Sequence, residues 1–455
     1  MLLAFGKAPF ALLCVALLSG LAVLALRPDS AGPRPDLVFA VFSKEHKLAY
    51  EKVIPDFEAT HHVRVQIQLM DPRTLQTRLQ AALQSGAEVP DVVELIEPSI
   101  GYFAKGPLAD VGFVDLTDRI EAQGLRQRLV ASRFGLWSSR GRIFALPHDV
   151  HPVMLAYRRD LFEKLGLKPE DMTTWDDFLK VGRKLSTMRG PDGLPPHYLI
   201  DLPADGSHGL QTLLHQAGGH LFDAQGRVAF DDPVAVKTVV WYARASRGQD
   251  RISVSCGWGQ GLARAAHDGL ALCYLAPDWR VGQFELDLPD LSGTFALMPL
   301  PAWEPGGRRT SVMGGTGIAI TKASPRQDLA WKLIEELYLR EQVLGERFAT
   351  SKILPPMRSA WNLPQLAEPD PFFSGQPVGS LYAALAPSAP DVYVSAYEEL
   401  ARGKMNEALV SVAQRYESQG EEGLAEFAAL ELKRCADYVR QTMARNRFLT
   451  PEGAP

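Results

Sequence analysis

The stretch from Thr294 to Lys322 constrains the fold more than any other, because it joins two apolar runs of strand length through a Gly-rich segment. The glycines of Gly314-Gly-Thr-Gly317 leave the backbone free to adopt positive φ or to lie close to a ligand. Ser324-Pro325 then opens a helix, with a serine N-cap and a proline at the first helical position. A chain that leaves one strand, passes these glycines and enters another strand fits a crossing between two lobes.

Strands and helices alternate along the first hundred residues. Continuous or alternating apolar runs predict strands at Leu37–Phe42, Val63–Leu69 and Asp91–Ile96, and amphipathic patterns predict helices at 45–60 and 75–85. This alternation favours βαβ units and a parallel sheet, and therefore the α/β class. A chain of 455 residues is too long to fold around one compact core, which indicates two domains.

The N-terminus carries an export signal. Residues 8–26 contain no charge and follow a single Lys7, which is typical of a signal peptide. The apolar run also approaches the roughly 20 residues that span a bilayer, so a cleaved signal peptide and a retained membrane anchor both stay open. With its Pro-rich tether this segment occupies residues 1–35, and in both cases the body lies outside the cytoplasm.

Charge and cysteine content exclude several classes. A net charge of −5 gives no basic field, which disfavours nucleic acid as a main partner. Three cysteines follow the export segment, too few for a disulfide framework. Pairing of Cys256 with Cys273 stays open, although Cys273 fits a small core residue. No Cys/His cluster has metal-ligand spacing, and we predict no cofactor.

Six short motifs stand in the order of a known family. They are Pro90-Asp-Val-Val93, Gly141-Arg-Ile-Phe-Ala-Leu-Pro147, Leu155-Ala-Tyr-Arg-Arg-Asp-Leu-Phe-Glu-Lys-Leu-Gly166, Thr174-Trp-Asp-Asp-Phe178, Ala276-Pro-Asp-Trp-Arg280 and Gly314-Gly-Thr-Gly-Ile318. Together they resemble the family 1 extracellular solute-binding proteins of sugar ABC importers, in the arabinose, lactose and maltose branch. One departure is Tyr157-Arg-Arg-Asp160, where many members have Tyr-Asn-Lys-Asp.

The resemblance implies a type II periplasmic-binding-protein-like fold, in which two α/β lobes joined by three crossings close on one ligand. It assigns residues 36–148 and 312–350 to the first lobe, and residues 149–311 and 351–455 to the second. The crossings, which would serve as hinges, are expected near His148–Pro152, Thr310–Gly315 and Thr350–Leu354.

A sugar cleft needs hydrogen-bonding side chains beside aromatic rings, at the carboxyl ends of the strands. Asp278-Trp279 is the most telling pair, because a turn carboxylate beside an indole is poor core chemistry. The predicted ligand-binding residues are Ser43, Glu45, Glu94, Glu97, His148, Asp149, Trp258, Asp278, Trp279, Gly315 and Thr316.

The predicted function is extracytoplasmic binding of a mono- or oligosaccharide and its delivery to the permease subunits of an ABC importer. A polyamine or another small solute bound by the same fold is one alternative, and an anchored sensor or scaffold protein is another. An exported carbohydrate-active enzyme is a third, since a glycosidase needs only two carboxylates. The sequence contains no nucleophile elbow, zinc helix or P-loop, and we predict that the protein is not an enzyme.

Overall fold

A computed structural model describes residues 35–97, 99–188, 190, 195–206 and 209–448, together with residues 15, 16 and 19. The predicted export segment therefore lies almost wholly outside the described residues. Within the described part of the chain, no helix combines the length and apolarity needed to cross a membrane.

The strands form two five-stranded sheets and a small hairpin. In chain order they are β1 (Leu37–Val41), β2 (Val65–Leu69), β3 (Val92–Ile96), β4 (Ser138–Ser139), β5 (Arg142–Ile143), β6 (Leu146–Pro147), β7 (Val153–Arg158), β8 (Tyr198–Asp201), β9 (Ser253–Val254), β10 (Ala271–Pro277), β11 (Phe295–Pro299) and β12 (Thr316–Ile320). The first sheet has the order β2-β1-β3-β12-β6 and the second the order β11-β7-β10-β8-β9, while β4 pairs with β5. We call the parts of the molecule built on these two sheets the first and second lobes.

Each large sheet mixes parallel and antiparallel pairs. In the first, β1 is parallel to β2 and β3, whereas β12 is antiparallel to β3 and β6. In the second, β10 is parallel to β8 and antiparallel to β7, and β11 is antiparallel to β7. The strand β12 returns from the second lobe, which is why the Gly-rich segment before it crosses between the lobes.

The helices cover both sheets. They are α1 (Lys44–Tyr50), α2 (Ile54–His61), α3 (Pro72–Ser85), α4 (Ser99–Phe103), α5 (Thr117–Ala122), α6 (Leu125–Arg128), α7 (Arg159–Leu165), α8 (Trp175–Ser186), α9 (Gly209–Ala217), α10 (Pro233–Ser246), α11 (Gln260–His267), α12 (Asp278–Asp287), α13 (Gln327–Tyr338), α14 (Glu341–Ser351), α15 (Pro364–Ala367), α16 (Val378–Leu385), α17 (Glu398–Gln419) and α18 (Leu424–Met443). Side-chain caps begin several of them. The Asp71 carboxylate accepts the amides of residues 73 and 74, and Asp232 accepts the amide of Ala235, each before a proline at the first helical position.

Two predicted elements differ from the structure. The predicted helix 45–60 is broken into α1 and α2, because Pro55 lacks the amide hydrogen that a continuous helix needs and instead lies in the first turn of α2. Residues 276–279 were predicted as a turn, but β10 extends to Pro277 and α12 begins directly at Asp278. The carboxylate of Asp278 therefore stands at a helix N-terminus.

The two sheets have separate cores, and the C-terminal helices belong to the second. Apolar side chains of α17 and α18, such as Met405 and Leu432, pack in one cluster with Leu155 and Leu272 of the second sheet. In the first lobe, side chains of β1, β3 and β12 pack with α13. The segment 389–394 returns to the first lobe, where Val392 joins the cluster on the other face of that sheet.

The three expected crossings lie side by side and are joined by backbone hydrogen bonds. Val150 N donates to Leu354 O at 3.2 Å, which ties the first crossing to the third. Val153 N donates to Ser311 O at 3.1 Å, which ties the first to the second. The lobes are thus connected by three hydrogen-bonded segments, the arrangement expected where two lobes move about a few backbone torsions.

Candidate ligand-binding cleft

A cavity of about 610 Å³ lies between the two lobes. The first lobe contributes residues 42–46 after β1, residues 96–97 at the end of β3, and Gly315 and Thr316. The second lobe contributes residues 211–215 of α9, Trp258, residues 279–286 of α12, and Arg402 and Asn406 of α17. Both sheets therefore present strand ends and helix starts to one space, as expected for ligand sites in open α/β sheets.

The structure divides the predicted site residues into two groups. Those that line the cavity are Ser43, Glu45, Glu97, Trp258, Trp279, Gly315 and Thr316. The others, Glu94, His148, Asp149 and Asp278, do not line it, because each is at most 1% exposed beneath its wall. Asp278, half of the pair that the sequence marked as most telling, is therefore buried beneath the cavity and not exposed in it.

Two tryptophans of the second lobe form an aromatic wall. The rings of Trp258 and Trp279 are nearly parallel, with centroids 6.1 Å apart and an interplanar angle of 21°. Trp279 is half-buried, and its Nε1 donates to Met313 O at 3.0 Å, which fixes the ring against the second crossing. Trp258 is 50% exposed and has the guanidinium of Arg280 5.1 Å from its ring centroid. Such a wall suits the apolar faces of sugar rings.

Polar groups of the first lobe face this wall. Ser43 caps α1 by accepting the amide of His46, and its hydroxyl donates to Glu45 Oε2 at 2.7 Å. Lys44 is exposed, and Glu97 follows β3 with its amide donating to Gly315 O at 2.8 Å. The cavity therefore offers hydroxyl, ammonium and carboxylate groups opposite an aromatic surface.

The glycines of the second crossing serve conformation and packing. Gly314 has φ of +86°, in the left-handed region that favours glycine. A Cβ at Gly315 would lie 2.8 Å from Leu136 and 2.9 Å from Arg133 Nη2, and one at Gly317 would lie 2.5 Å from the Trp137 ring. Gly315 and Gly317 thus let β12 approach neighbouring side chains of the first lobe.

A buried ionic network, which we call the hinge network, lies beneath the cavity. Asp149 of the first crossing accepts the amide of Thr316 at 2.7 Å, and Arg133 donates to it at 3.2 Å. Its Oδ2 also lies 2.9 Å from His151 Nε2. Burial alone raises the pKa of Asp149, but the charges and hydrogen bonds of His151 and its other neighbours hold that pKa well below its usual value.

Asp278 continues this network to the third crossing. His151 Nδ1 lies 2.5 Å from Asp278 Oδ1, and Leu354 N donates to Asp278 Oδ2 at 2.7 Å. Burial lowers the pKa of His151, but the two carboxylates outweigh burial and raise it to about 9. The imidazole is therefore held protonated between Asp149 and Asp278. Asp278 acts as a brace of the hinge, and it holds the backbone of Trp279 by accepting its amide at 2.8 Å.

Glu94 is the centre of a second buried group. His46 Nδ1 lies 2.9 Å from Glu94 Oε2, and the hydroxyls of Tyr50 and Tyr338 donate to Oε1 at 2.6 and 3.0 Å. Burial raises the pKa of Glu94, but His46 outweighs that effect and the pKa falls to about 2. The carboxylate is thus already satisfied by three donors.

His148 completes this group, in which three side chains are possible metal ligands. Donor atoms of His46, Glu94 and His148 lie within 4.8 Å of one another, the geometry in which a metal ion could be held. Burial, followed by the charges of Arg347 and His46, lowers the pKa of His148 to about 3. A guanidinium next to the imidazole opposes a bound cation, so we interpret the group as a packed polar core.

Several cavity residues were missed by the sequence analysis. Gln211 and His215 come from α9, Gln283 from α12, and Arg402 and Asn406 from α17. All lie in helices, and none of them belongs to the six motifs. No local motif marks them, since their position depends on how the C-terminal helices pack on the second lobe.

The cysteines are structural. Cys256, Cys273 and Cys435 are buried free thiols, so Cys256 and Cys273 do not form a disulfide in the described part of the chain. Cys273 is fully buried in β10, as its apolar neighbours predicted, and burial raises its pKa well above the usual value.

Two mixed sheets of this strand order, joined by three crossings over a shared cavity, define a two-lobe solute-binding protein. The type II periplasmic-binding-protein-like fold predicted from the motifs is confirmed. The chain belongs to the bacterial extracellular solute-binding protein family, whose sequence model matches residues 43–343. The extracellular location of this family agrees with the prediction that the folded part of the chain lies outside the cytoplasm.

Two curated relatives carry names that state a ligand. The chain is 27% identical over 301 residues to an arabinooligosaccharide-binding protein of Bacillus subtilis, which covers 65% of this chain and 67% of that protein. It is 28% identical over 331 residues to a lactose-binding protein of Rhizobium radiobacter, covering 70% and 74%.

Solved structures share the fold at lower sequence identity. The sugar-binding protein MalE of Xanthomonas citri has a TM-score of 0.72 and 22% identity, covering 90% of this chain and 98% of that chain. An ABC transporter associated binding protein from B. animalis subsp. lactis in complex with beta-1,6-galactobiose has a TM-score of 0.66 and 18% identity, covering 89% and 98%. Glycerophosphocholine-bound UgpB of Mycobacterium tuberculosis has a TM-score of 0.66 and 18% identity, covering 91% and 100%.

Proposed function

We propose that this protein binds a carbohydrate in the cleft between its lobes and delivers it to the permease subunits of an ABC importer. The observation that carries the proposal is the aromatic wall of Trp258 and Trp279 facing the Ser43–Glu45 loop and Glu97 across one cavity. Sugar rings present apolar C–H faces to such a wall and hydroxyls to such polar groups. The names of the two curated relatives support the same ligand class.

The size of the cavity favours more than one sugar unit. A volume of about 610 Å³ falls within the range of roughly 300–1,000 Å³ that accommodates drug-sized ligands. The ligands named for the two curated relatives, an arabinooligosaccharide and lactose, each contain more than one sugar unit. We therefore favour short oligosaccharides over monosaccharides as ligands.

A polyamine is the second candidate, because Glu45 and Glu97 stand near the aromatic wall. Lys44 and Arg402 line the same cavity and would repel ammonium groups. A neutral ligand satisfies the carboxylates and the cations together, which is the reason for preferring a sugar. The members of the family are binding proteins, and we propose that this chain likewise binds its ligand without converting it.

The lobe boundaries and the membrane attachment belong to the same proposal. Lobes at 36–148 with 312–350, and at 149–311 with 351–455, would rotate about the three hydrogen-bonded crossings. Attachment through residues 8–26, where that segment is retained, would keep the binding protein close to its permease. N-terminal sequencing of the exported protein distinguishes a cleaved from a retained segment.

A ligand screen tests the function. Thermal-shift measurements with lactose, arabinose oligosaccharides, malto-oligosaccharides, glycerophosphocholine and spermidine should show stabilisation by one group of saccharides, because a ligand that binds only the folded state raises its stability. Product analysis after long incubation should recover the saccharide unchanged. Stabilisation by spermidine or glycerophosphocholine alone, or release of monosaccharides, would contradict the proposal.

A further inference from the structure

Glu97 and Arg402 join the two lobes directly inside the cavity. The Arg402 Nη2 and Glu97 Oε1 atoms are 2.6 Å apart, and both residues line the cavity. Their side chains are 26% and 12% exposed, so this ion pair is largely but not completely removed from water. Both side chains therefore keep some surface toward the cavity.

Each partner is fixed to its own lobe. Glu97 follows β3, and its amide donates to Gly315 O at 2.8 Å, which holds it against the second crossing. Arg402 lies in the first turns of α17, and its neighbours Ala401 and Met405 are buried in the core of the second lobe. The distance between the two charged groups consequently depends on how far the lobes are closed.

The surroundings of Arg402 are not those of an optimised structural ion pair. Glu398, one turn earlier on α17, lies 3.8 Å from Arg402 Nη2 and accepts from Gln211 Nε2 at 2.9 Å. Arg402 Nε and Glu398 Oε2 are nevertheless buried without hydrogen-bond partners. Unsatisfied buried polar atoms of this kind are uncommon and call for an explanation, such as a functional role.

The chemistry of the pair matches adjacent hydroxyl groups. A guanidinium offers only donors in a planar fork, and an ionised carboxylate offers only acceptors. The bond between Nη2 and Oε1 leaves the second oxygen of Glu97 and the remaining donors of Arg402 for other partners. One hydroxyl of a vicinal diol accepts a hydrogen bond from the guanidinium while its neighbour donates one to the carboxylate. The two adjacent hydroxyls therefore supply the acceptor that the guanidinium needs and the donor that the carboxylate needs.

We propose that Arg402 is a ligand-binding residue, and that with Glu97 it holds a vicinal diol of the ligand and bridges the lobes in the closed state. The proposal rests on the proposed function for its saccharide ligand. It adds a residue from α17, a helix that lies beyond the part of the chain matched by the family model. Closure brings Glu97 to Arg402, and the ligand is enclosed by the same two side chains that recognise it.

Titration calorimetry of the full chain tests the binding role. The probe is lactose or arabinotriose, whichever the wild-type protein binds. Arg402→Gln and Glu97→Gln should each weaken binding about tenfold or more, because hydrogen bonds to charged groups are lost. Arg402→Lys should recover little of the loss, because an ammonium lacks the planar fork. Lys404→Gln is the matched control, since Lys404 lies on the same helix but pairs with Glu407 outside the cavity.

Monodeoxy versions of the same sugar show whether the pair binds hydroxyls. Removal of one hydroxyl of the bound diol should weaken binding to the wild-type protein, and should have little further effect on Arg402→Gln. Equal sensitivity of both proteins to every monodeoxy sugar would overturn the diol assignment. Unchanged affinity in both charge variants, with altered melting temperature alone, would overturn the binding role.

Small-angle scattering without ligand tests the bridge independently of any sugar. Glu97→Gln and Arg402→Gln should give a larger radius of gyration than the wild type and Lys404→Gln, because the closed state loses a lobe-spanning bond. Equal radii in all four proteins would overturn the bridging role. A wild-type protein that binds none of the saccharides would contradict the proposed function instead, and this scattering result would still stand.

Discussion

The wall of the cleft, by which we mean all residues that line the cavity, and the hinge network contain the same residue types but use them differently. Glu97 stands in the wall, with 12% of its side chain exposed and one cation beside it. Asp278 stands in the network, with none of its surface exposed and with His151 and two amides bonded to it. A carboxylate whose oxygens are all satisfied internally supports the scaffold, whereas one with an oxygen left toward a cavity can bind a ligand.

Because of this difference, we expect the hinge network to control the stability of the fold and the wall to control the affinity for the ligand. The hinge network compensates the burial of two carboxylates with His151, Arg133 and three backbone amides, those of Thr316, Trp279 and Leu354. Loss of one member leaves a charge buried and unpaired, which costs stability. A residue of the wall can be lost at little cost to the unliganded fold, and its loss appears in the ligand affinity.

Asp278→Ala should have the largest effect of the changes considered. It leaves His151 with one carboxylate and removes the acceptor of the Leu354 amide, so the free energy of unfolding should fall by about 3–5 kcal/mol. Urea denaturation of the unliganded protein measures this. Asp287→Ala, at the exposed end of the same helix, is the control and should change stability by about 0.5 kcal/mol or less. A loss in Asp278→Ala as small as in the control would show that the carboxylate is not a brace.

Trp279→Ala should lower both affinity and stability, because this residue belongs to the wall and rests on the hinge network. Removal of a central aromatic contact should weaken sugar binding by about 1–3 kcal/mol. Trp303→Ala is the control: Trp303 is also half-buried in the second lobe and donates to a backbone carbonyl, Leu213 O, but does not line the cavity. It should lower the melting temperature and leave affinity unchanged. If calorimetry finds the same affinity in both variants, Trp279 does not contact the ligand.

Much of the fold was predictable from local signals. The start of the helix Pro233–Ser246 follows from its local sequence, because Asp232 caps it and Pro233 occupies its first position. The strand expected before the Gly-rich segment forms at Phe295–Pro299. The position of α17 was not predictable, since its place against the second lobe depends on packing with α10 and α18 rather than on its own pattern.

The site was predictable only in part. Asp278 and Trp279 are adjacent, yet one is buried and the other lines the cavity. Because α12 begins at Asp278, consecutive side chains diverge by about 100° around the helix axis, a difference hidden while the segment is read as a turn. Glu94 and Glu97 differ for a similar reason, since Glu94 lies within β3 and points into the core, whereas Glu97 follows its end.

Trp258→Ala tests the same comparison at a more exposed residue of the wall, where we expect a smaller effect on affinity. The ring is half exposed, so its loss should weaken sugar binding by about 0.5–1.5 kcal/mol, the value of an aromatic contact beyond area burial. The stability of the unliganded protein should change by about 0.5 kcal/mol or less. Tyr438→Ala is the control, because that ring is 51% exposed on α18 and lies outside the cavity. Equal affinities in the two variants would exclude Trp258 from the ligand platform.

The last expected effect is a dependence of stability on pH that belongs to His151. Its pKa of about 9 in the folded protein exceeds the ordinary 6.5, so the folded state holds the proton more tightly than the unfolded chain does. That stabilisation is complete below pH 6.5 and is lost as pH rises through 9. Glu398, whose pKa burial and the charge of Glu97 raise to about 8, adds a loss of the same sign.

A variant separates His151 from the other groups. His151→Asn removes the titrating ring, and asparagine tolerates the positive φ of 54° at this position better than most residues. Melting temperatures of the unliganded protein between pH 6 and pH 10 should fall more steeply for the wild type than for His151→Asn, although the variant is less stable at pH 6. Parallel curves would mean that His151 is not the protonated link between Asp149 and Asp278, and the distinction between the hinge network and the wall would then rest on burial alone.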